Sequence, residues 1–325
     1  MRVCVIGCGA IGSLYAAHLA LVTEVWAFVR RDEHAAALNQ HGLRVSGTHD
    51  FTATLKAETD PARMPEFDLG ISATKANDTA SSFAPVAHLF NRGAVMSAQN
   101  GMGSEEALAA HTKGYIIRGT TFMSGTRHSD THVQYELETP TWLGPFEPSN
   151  TPFELVERAA DLLVRGGLKA EALRDARPAQ WSKLIFNAAV NGASALTELP
   201  HSREFAACDD LSDLGHLVRD LMDEGKRVAA AAGVELHDDP WEMNKIGAET
   251  DHPPSMLYDI QHHLPTEVDF LSGAIAREAQ RLAVPAPLHT AVWRLINAKE
   301  ASWRWGERER KKTAHHALKT YRTTG

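Results

Sequence analysis

The chain has few cysteines, no long apolar run and no surplus of positive charge, and each absence removes a class of function. Its three cysteines, Cys4, Cys8 and Cys208, are odd in number and scattered through 325 residues. That pattern excludes a disulfide framework and fits a reducing cytoplasm. No apolar run approaches the length that spans a bilayer, so a membrane partner is not expected. The N-terminus, Met1-Arg2-Val3-Cys4-Val5-Ile6, enters a strand-like run at once, without a signal-peptide layout. None of the 17 histidines sits in a metal-ligand motif such as HExxH, so no metal centre is expected. Internal repeats and low-complexity segments are also missing. The 33 Lys and Arg are outnumbered by 41 Asp and Glu, a net charge of −8. Nucleic acid is therefore not expected as the main partner, and an anionic ligand must be held by local cations. The basic run Arg308-Glu309-Arg310-Lys311-Lys312 reads as a solvated helix end.

What is present reads as two textures. In the first half, apolar runs at Val3–Ile6, Val25–Val29, Leu69–Ala73, Ala94–Ala98 and Tyr115–Ile117 predict strands. They alternate with helical stretches near Ile11–Leu21, Asp32–Gln40, Thr79–Leu89 and Glu105–His111, the order of a parallel sheet flanked by helices. Thr131–Leu143 alternates like an antiparallel hairpin, and Phe153–Arg165 is helical again. From Pro178 onward only helical periodicities remain, broken at Pro200, Pro240, Pro253-Pro254, Pro265 and Pro285. The expected architecture is an α/β domain over residues 1–175 and an all-α domain over 176–325, with the joint near 174–178.

Gly7-Cys8-Gly9-Ala10-Ile11-Gly12 fits GxGxxG. The hexamer alone is a weak signal, but here it follows a strand and opens a helix, as a dinucleotide-binding turn requires. Gly7 permits the tight turn, Gly9 lets backbone approach a pyrophosphate, and Gly12 lets helix pack on strand. The free N–H groups of the helix N-terminus complete a phosphate site. An NAD-binding domain places an acid at the end of its second strand; here Val29 is followed by Arg30 and Arg31. Guanidinium groups suit a 2′-phosphate, so NADP(H) is the expected cofactor, with Arg30 the more direct contact. Lys75 and Asn100 follow predicted strands on the same ligand-facing rim.

Lys183, Asn187 and Asn191 fall at i, i+4 and i+8 and line one face of a predicted helix. Leu184, Ile185, Phe186, Ala188, Ala189 and Val190 fill the positions between, so the helix reads as buried with a narrow polar strip. A lysine in that setting needs a partner, a lowered pKa or a wet cleft, and each makes it a candidate for proton transfer. Thr266 reads as a helix cap with Glu267 and Asp269 in the first turn, and Ser255 after Pro253-Pro254 reads equally as a cap.

Taken together these motifs resemble the ketopantoate reductase family, nearly end to end. They are Gly7–Gly12, Lys75, Gln99-Asn100-Gly101, the Lys-x-x-x-Asn-x-x-x-Asn of Lys183, Asn187 and Asn191, the Ser-Met-x-x-Asp of Ser255–Asp259, and Thr266-Glu267. The resemblance implies a Rossmann-type N-terminal domain and an all-α second domain like the C-terminal one of 6-phosphogluconate dehydrogenase, with a substrate cleft between. It implies an NADPH-dependent reduction in which a branched 2-oxo acid becomes the 2-hydroxy acid, a step towards pantothenate and coenzyme A. Lys183 would be the general acid. Glu267 would bind the substrate's hydroxyl end and steady the lysine. Asn100, Asn187, Asn191 and Ser255 would position the substrate. Gly7, Cys8, Gly9, Ala10, Ile11, Gly12, Arg30, Arg31, Lys75, Asn100 and Ser124 would bind cofactor.

Three departures bear on the substrate. His201 and His252 stand where the family has asparagines, Pro285-Ala286-Pro287 replaces its Pro-Thr-Pro, and Ser124 replaces a small alanine near the cofactor. Another small 2-oxo or 3-hydroxy acid is the alternative substrate, and a non-catalytic NADP(H) sensor is the alternative of a different class. The C-terminal helices permit a homodimer without demanding one.

Overall fold

Alternate residues of the strand Arg2–Ile6 (β1) enter two different cores, which makes the first unit a layered one. Val3 and Val5 pack into one buried cluster, Cys4 and Ile6 into another. A strand covered on both faces is apolar throughout, as is usual in a parallel sheet with helices on both sides. The computed structural model describes residues 1–208, 212–249 and 253–303. His252 and the basic run at 308–312 lie outside them.

In chain order, β1 is followed by the helix Ala10–Ala20 (α1), Glu24–Phe28 (β2) and the helix Asp32–His41 (α2). Three short strands follow, Leu43–Gly47 (β3), Phe51–Ala53 (β4) and Lys56–Glu58 (β5). Leu69–Ser72 (β6), the helix Thr79–Phe83 (α3), Ala94–Ser97 (β7) and the helix Ser104–Ala109 (α4) continue the alternation. Then come Tyr115–Thr121 (β8), Ser124–Ser129 (β9), His132–Leu137 (β10), Thr141–Pro145 (β11), the helix Phe153–Arg165 (α5) and Ala170–Ala172 (β12). Among the described residues these strands form two sheets, ordered β12-β11-β8-β7-β6-β1-β2-β5 and β4-β3-β10-β9. The larger is parallel from β5 to β8. Its order reverses at β1, between β2 and β6, and the crevice at such a switch point is where open α/β sheets bind ligands.

The structure departs from the sequence expectations where pairing is non-local. The helix expected over Thr79–Leu89 stops at Phe83 and resumes as a 3₁₀ turn, Ala87–Phe90, because Pro85 between them has no N–H to donate. The hairpin expected over Thr131–Leu143 is instead β9 with β10, and β11 leaves it to pair antiparallel with β8 in the larger sheet. β3, β4, β5 and β12 were not foreseen.

The change of texture near 174–178 marks the end of β12 and the start of the long helix Arg177–Thr197 (α6). The chain divides into compact units Met1–Lys183 and Leu184–Gly325, so α6 runs from one into the other. The described part of the second unit is helical: Asp213–Ala231 (α7), Pro240–Gly247 (α8), Ser255–Gln261 (α9), Ser272–Arg281 (α10) and residues 287–303. Among the described residues no helix is long and apolar enough to cross a membrane.

A buried polar link holds the second unit together. Glu224 of α7 accepts hydrogen bonds from the backbone N–H groups of Leu288 (3.1 Å) and His289 (2.8 Å), capping the helical stretch 287–303. His289 is fully buried; its Nε2 lies 3.0 Å from the Leu221 carbonyl and its Nδ1 3.3 Å from Ser272 Oγ. The carbonyl can only accept, so Nε2 carries a proton. Burial lowers its pKa to about 4. The unfolded chain then binds a proton near pH 6.5 that the folded one refuses until near pH 4. Stability from this residue is therefore complete above about pH 6.5 and falls by up to roughly 3 kcal/mol as pH drops through that window. Denaturant titrations across pH 4–7.5 should show the gap between wild type and His289→Gln shrinking as pH falls; parallel profiles would contradict the assignment.

Candidate functional site

The Gly7–Gly12 turn connects β1 to α1 at the switch point. Gly7 has φ +88°, and a Cβ there would lie 2.5 Å from Thr74 Cγ2, so only glycine fits. A Cβ on Gly12 would lie 1.9 Å from the Gly7 carbonyl oxygen, which shows how closely the helix packs on its own turn. A Cβ on Gly9, the exposed N-cap residue, would meet no protein atom within 4 Å. No side chain caps α1 and no acid occupies its first turn, so its partial positive end is left for an anion. Ala10 and Ile11 open the helix half-buried. Cys8 offers only backbone, since its side chain is in the core and burial pushes its thiol up to about 12.

At the end of β2 the two arginines differ. Arg31 Nη2 is 2.5 Å from Asp130 Oδ1, whereas Arg30 is exposed and forms no side-chain hydrogen bond or ion pair among the described residues. Lys75, also exposed, follows β6 in extended conformation. After β7, Gln99 is buried and locked: Ser97 Oγ donates to its Oε1 (2.9 Å), and its Nε2 donates to Ser72 Oγ (2.6 Å) and Thr79 Oγ1 (3.2 Å). That lock ties the ends of β6 and β7 and fixes half-buried Asn100, which precedes Gly101 at φ +87°. Ser124, half-buried, opens β9.

Lys183, Asn187 and Asn191 stand one turn apart on α6, as their spacing requires. Lys183 is 8% exposed; its Nζ donates to the Thr121 carbonyl and lies 5.5 Å from the Phe122 ring centre. Asn187 is half-buried, and Asn191 is buried. Asn191 Oδ1 accepts from the backbone N–H of Met256 (3.3 Å) and from Ser255 Oγ (3.5 Å). Ser255 therefore opens α9 without capping it; Asn191 serves the helix N-terminus instead, while Asp259 is buried within α9. Glu267 is half-buried at the N-cap of a 3₁₀ turn, Val268–Phe270. The preceding Thr266 is fixed by Glu300, whose Oε1 accepts from its N–H (3.0 Å) and its hydroxyl (2.5 Å).

His201 turns out to be a core residue. Its ring is 5% exposed, packs edge-on against Phe186 and Phe205, and bonds to Asn244 Oδ1 at 2.9 Å. The Asn244 amide nitrogen donates to the Phe205 carbonyl, so His201 Nε2 is the donor in that bond. It stands behind Phe186, the sequence neighbour of Asn187.

Two groups escaped the sequence reading. Gln180, one turn before Lys183, accepts from Arg118 Nη1 (3.0 Å) and donates to Glu105 Oε1 (2.9 Å) and to the Gly101 carbonyl (3.4 Å). It joins the start of α6 to the Asn100 loop. Burial raises the Glu105 pKa, with Arg118 opposing. The other is Arg127 with Asp130, on and just after β9. Gln180 has no local signature because its partners are far apart in sequence, and the Arg127–Asp130 pair gains its second arginine, Arg31, only from 99 residues away.

Comparison with known proteins gives this geometry a family. The family model described as ketopantoate reductase PanE/ApbA matches residues 3–148, and its C-terminal counterpart matches residues 175–300. The 2-dehydropantoate 2-reductase of Archaeoglobus fulgidus is 30% identical over 301 residues, 92% of this chain and 98% of that protein. A PanE/ApbA family ketopantoate reductase from Ralstonia eutropha JMP134 superposes with a TM-score of 0.82 at 26% identity, covering 94% of this chain and all of that one. D-mandelate dehydrogenase in its ternary structure with NADH and anilino(oxo)acetate shares the fold, with a TM-score of 0.83 at 23% identity over 93% and 99% of the two chains. With both family models matched in order along one chain, the protein belongs to the ketopantoate reductase PanE/ApbA family.

Proposed function

We propose that this chain is an NADPH-dependent 2-oxo acid reductase, with 2-dehydropantoate as its substrate and pantoate as its product. The observation that carries the reading is the buried Lys183, held at the Thr121 carbonyl on a helix whose polar stripe continues through Asn187 and Asn191. The residues present suit the cofactor: Gly9 leaves open space at an uncapped helix N-terminus, and Arg30 and Arg31 stand where a 2′-phosphate is read. Residues 1–175 then serve the cofactor, through Gly7–Gly12, Arg30, Arg31, Lys75, Asn100 and Ser124. Residues 176–325 contribute most of the substrate's contacts.

The bound nicotinamide supplies the hydride. Lys183 donates a proton to the ketone oxygen as it gains charge, and its ammonium stabilises that charge in surroundings from which water is largely excluded. Asn100, Asn187, Asn191 and Ser255 orient the 2-oxo acid, with the Ser255 hydroxyl the donor to its carboxylate, and Glu267 engages the hydroxyl end. A soluble enzyme supplying pantothenate and coenzyme A synthesis in the cytoplasm is the setting this chemistry fits.

The test is NADPH oxidation by purified protein with 2-dehydropantoate and a panel of straight, branched and aromatic 2-oxo acids. Fastest turnover with 2-dehydropantoate is the expected result. A faster reaction with another oxo acid moves the substrate and leaves the residue roles in place. Tight NADPH binding with no oxidation across the panel would overturn the enzyme reading in favour of a sensor.

A further inference from the structure

Besides the two arginines that follow β2 of the larger sheet, a third stands on the smaller sheet and meets one of them. Arg127 lies on β9, the strand that opens at Ser124 and whose Gly125 rests against Leu14 of α1. Its Nη1 is 3.2 Å from Asp130 Oδ1, the same oxygen that Arg31 Nη2 approaches at 2.5 Å. One carboxylate oxygen thus gathers two guanidinium groups from different sheets. The charge of Arg127 also acts on the Cys8 thiol in the glycine turn and, with Arg31 and Asp130, on the His34 ring of α2. Through Asp130, Arg127 is tied to the arginine pair that follows β2.

The charges decide what such a group attracts. Arg30, Arg31 and Arg127 supply three positive charges and Asp130 one negative, which leaves two. Asp32, next in sequence, is turned to the Thr59 hydroxyl at 2.5 Å. A phosphate monoester carries nearly two negative charges at neutral pH, whereas the ribose hydroxyl in its place carries none. The arginine side chains are 38–47% exposed in their pairs with Asp130, and exposed ion pairs are weak. Charge-assisted, bidentate bonds from guanidinium to phosphate are stronger, so the arginines gain by turning to an incoming dianion.

We infer that Arg127 joins Arg30 and Arg31 as a third reader of the cofactor's 2′-phosphate, and that Asp130 holds Arg31 and Arg127 side by side to receive it. This rests on the NADP(H) reading above, and the test separates the two. Calorimetric titration of the full-length protein with 2′,5′-ADP and 5′-AMP reads the 2′-phosphate alone, without turnover. Wild type should prefer 2′,5′-ADP. Arg127→Gln should weaken 2′,5′-ADP about tenfold, the loss of one charged contact, and leave 5′-AMP unchanged. Arg127→Lys should restore part of the preference. A wild type that prefers 2′,5′-ADP beside an Arg127→Gln variant of unchanged preference overturns the role of Arg127 and leaves the NADP(H) reading standing. Equal binding of both nucleotides by wild type overturns the NADP(H) reading, and this inference with it. Equal weakening of both by Arg127→Gln assigns the residue a structural role and also overturns the inference.

Discussion

Lys183→Ala is expected to lower kcat by about two to four orders of magnitude while NADPH affinity stays within roughly threefold of wild type. General acid catalysis by a positioned side chain contributes about that factor, and loss of the ammonium's electrostatic stabilisation adds to it. The structure makes the test clean. Lys183 is buried mid-helix, and alanine is the strongest helix former, so α6 should persist. The Thr121 carbonyl loses one donor, a cost of about 1 kcal/mol, which leaves the fold intact. Arginine should not rescue activity, because its guanidinium keeps its proton above pH 12 and so cannot pass it to the ketone oxygen. Pre-steady-state mixing of the variant with NADPH and 2-dehydropantoate should show cofactor binding without oxidation. Oxidation within threefold of wild type would remove Lys183 from the chemistry and leave its burial as packing.

What the sequence made legible was local. The glycine turn was readable because each glycine answers a backbone requirement within six residues, and the Cβ contacts at Gly7 and Gly12 show that requirement in atoms. The stripe of Lys183, Asn187 and Asn191 was readable because helical period alone puts the three on one face. What stayed hidden depends on distant partners. β10 lies within the alternating segment Thr131–Leu143, but its partner β3, some ninety residues away and carrying polar residues on its outward face, did not stand out. Gln180 shows no sign of its role until Glu105 and Arg118 are brought to it. His201 invited a reading as a pocket residue, but Phe186, Phe205 and Asn244 enclose it.

The glycine turn carries the second large effect, because two glycines three residues apart should fail in opposite ways. Gly12→Ala places a methyl 1.9 Å from the Gly7 carbonyl oxygen and 3.2 Å from Ala73 Cβ. The nearest obstacle is backbone, with no side chain to swing aside, so the cost lies at or above the usual ~1–3 kcal/mol of overpacking. The gain in helix propensity from glycine to alanine, about 1 kcal/mol, offsets only part of it. A melting-point fall of roughly 5–10 °C follows for a unit of this size, with or without cofactor. Gly9→Ala adds its methyl to open space at φ −73°, a conformation any residue adopts, so its stability should stay within about 0.5 kcal/mol of wild type. That open space is where backbone must approach the pyrophosphate, so Gly9→Ala should raise the NADPH dissociation constant about tenfold or more. Thermal melts and NADPH titrations of both variants separate fold from ligand. A Gly9→Ala protein that binds NADPH like wild type would mean the turn does not carry the pyrophosphate. The cofactor would then have to be sought away from the β1–α1 crevice.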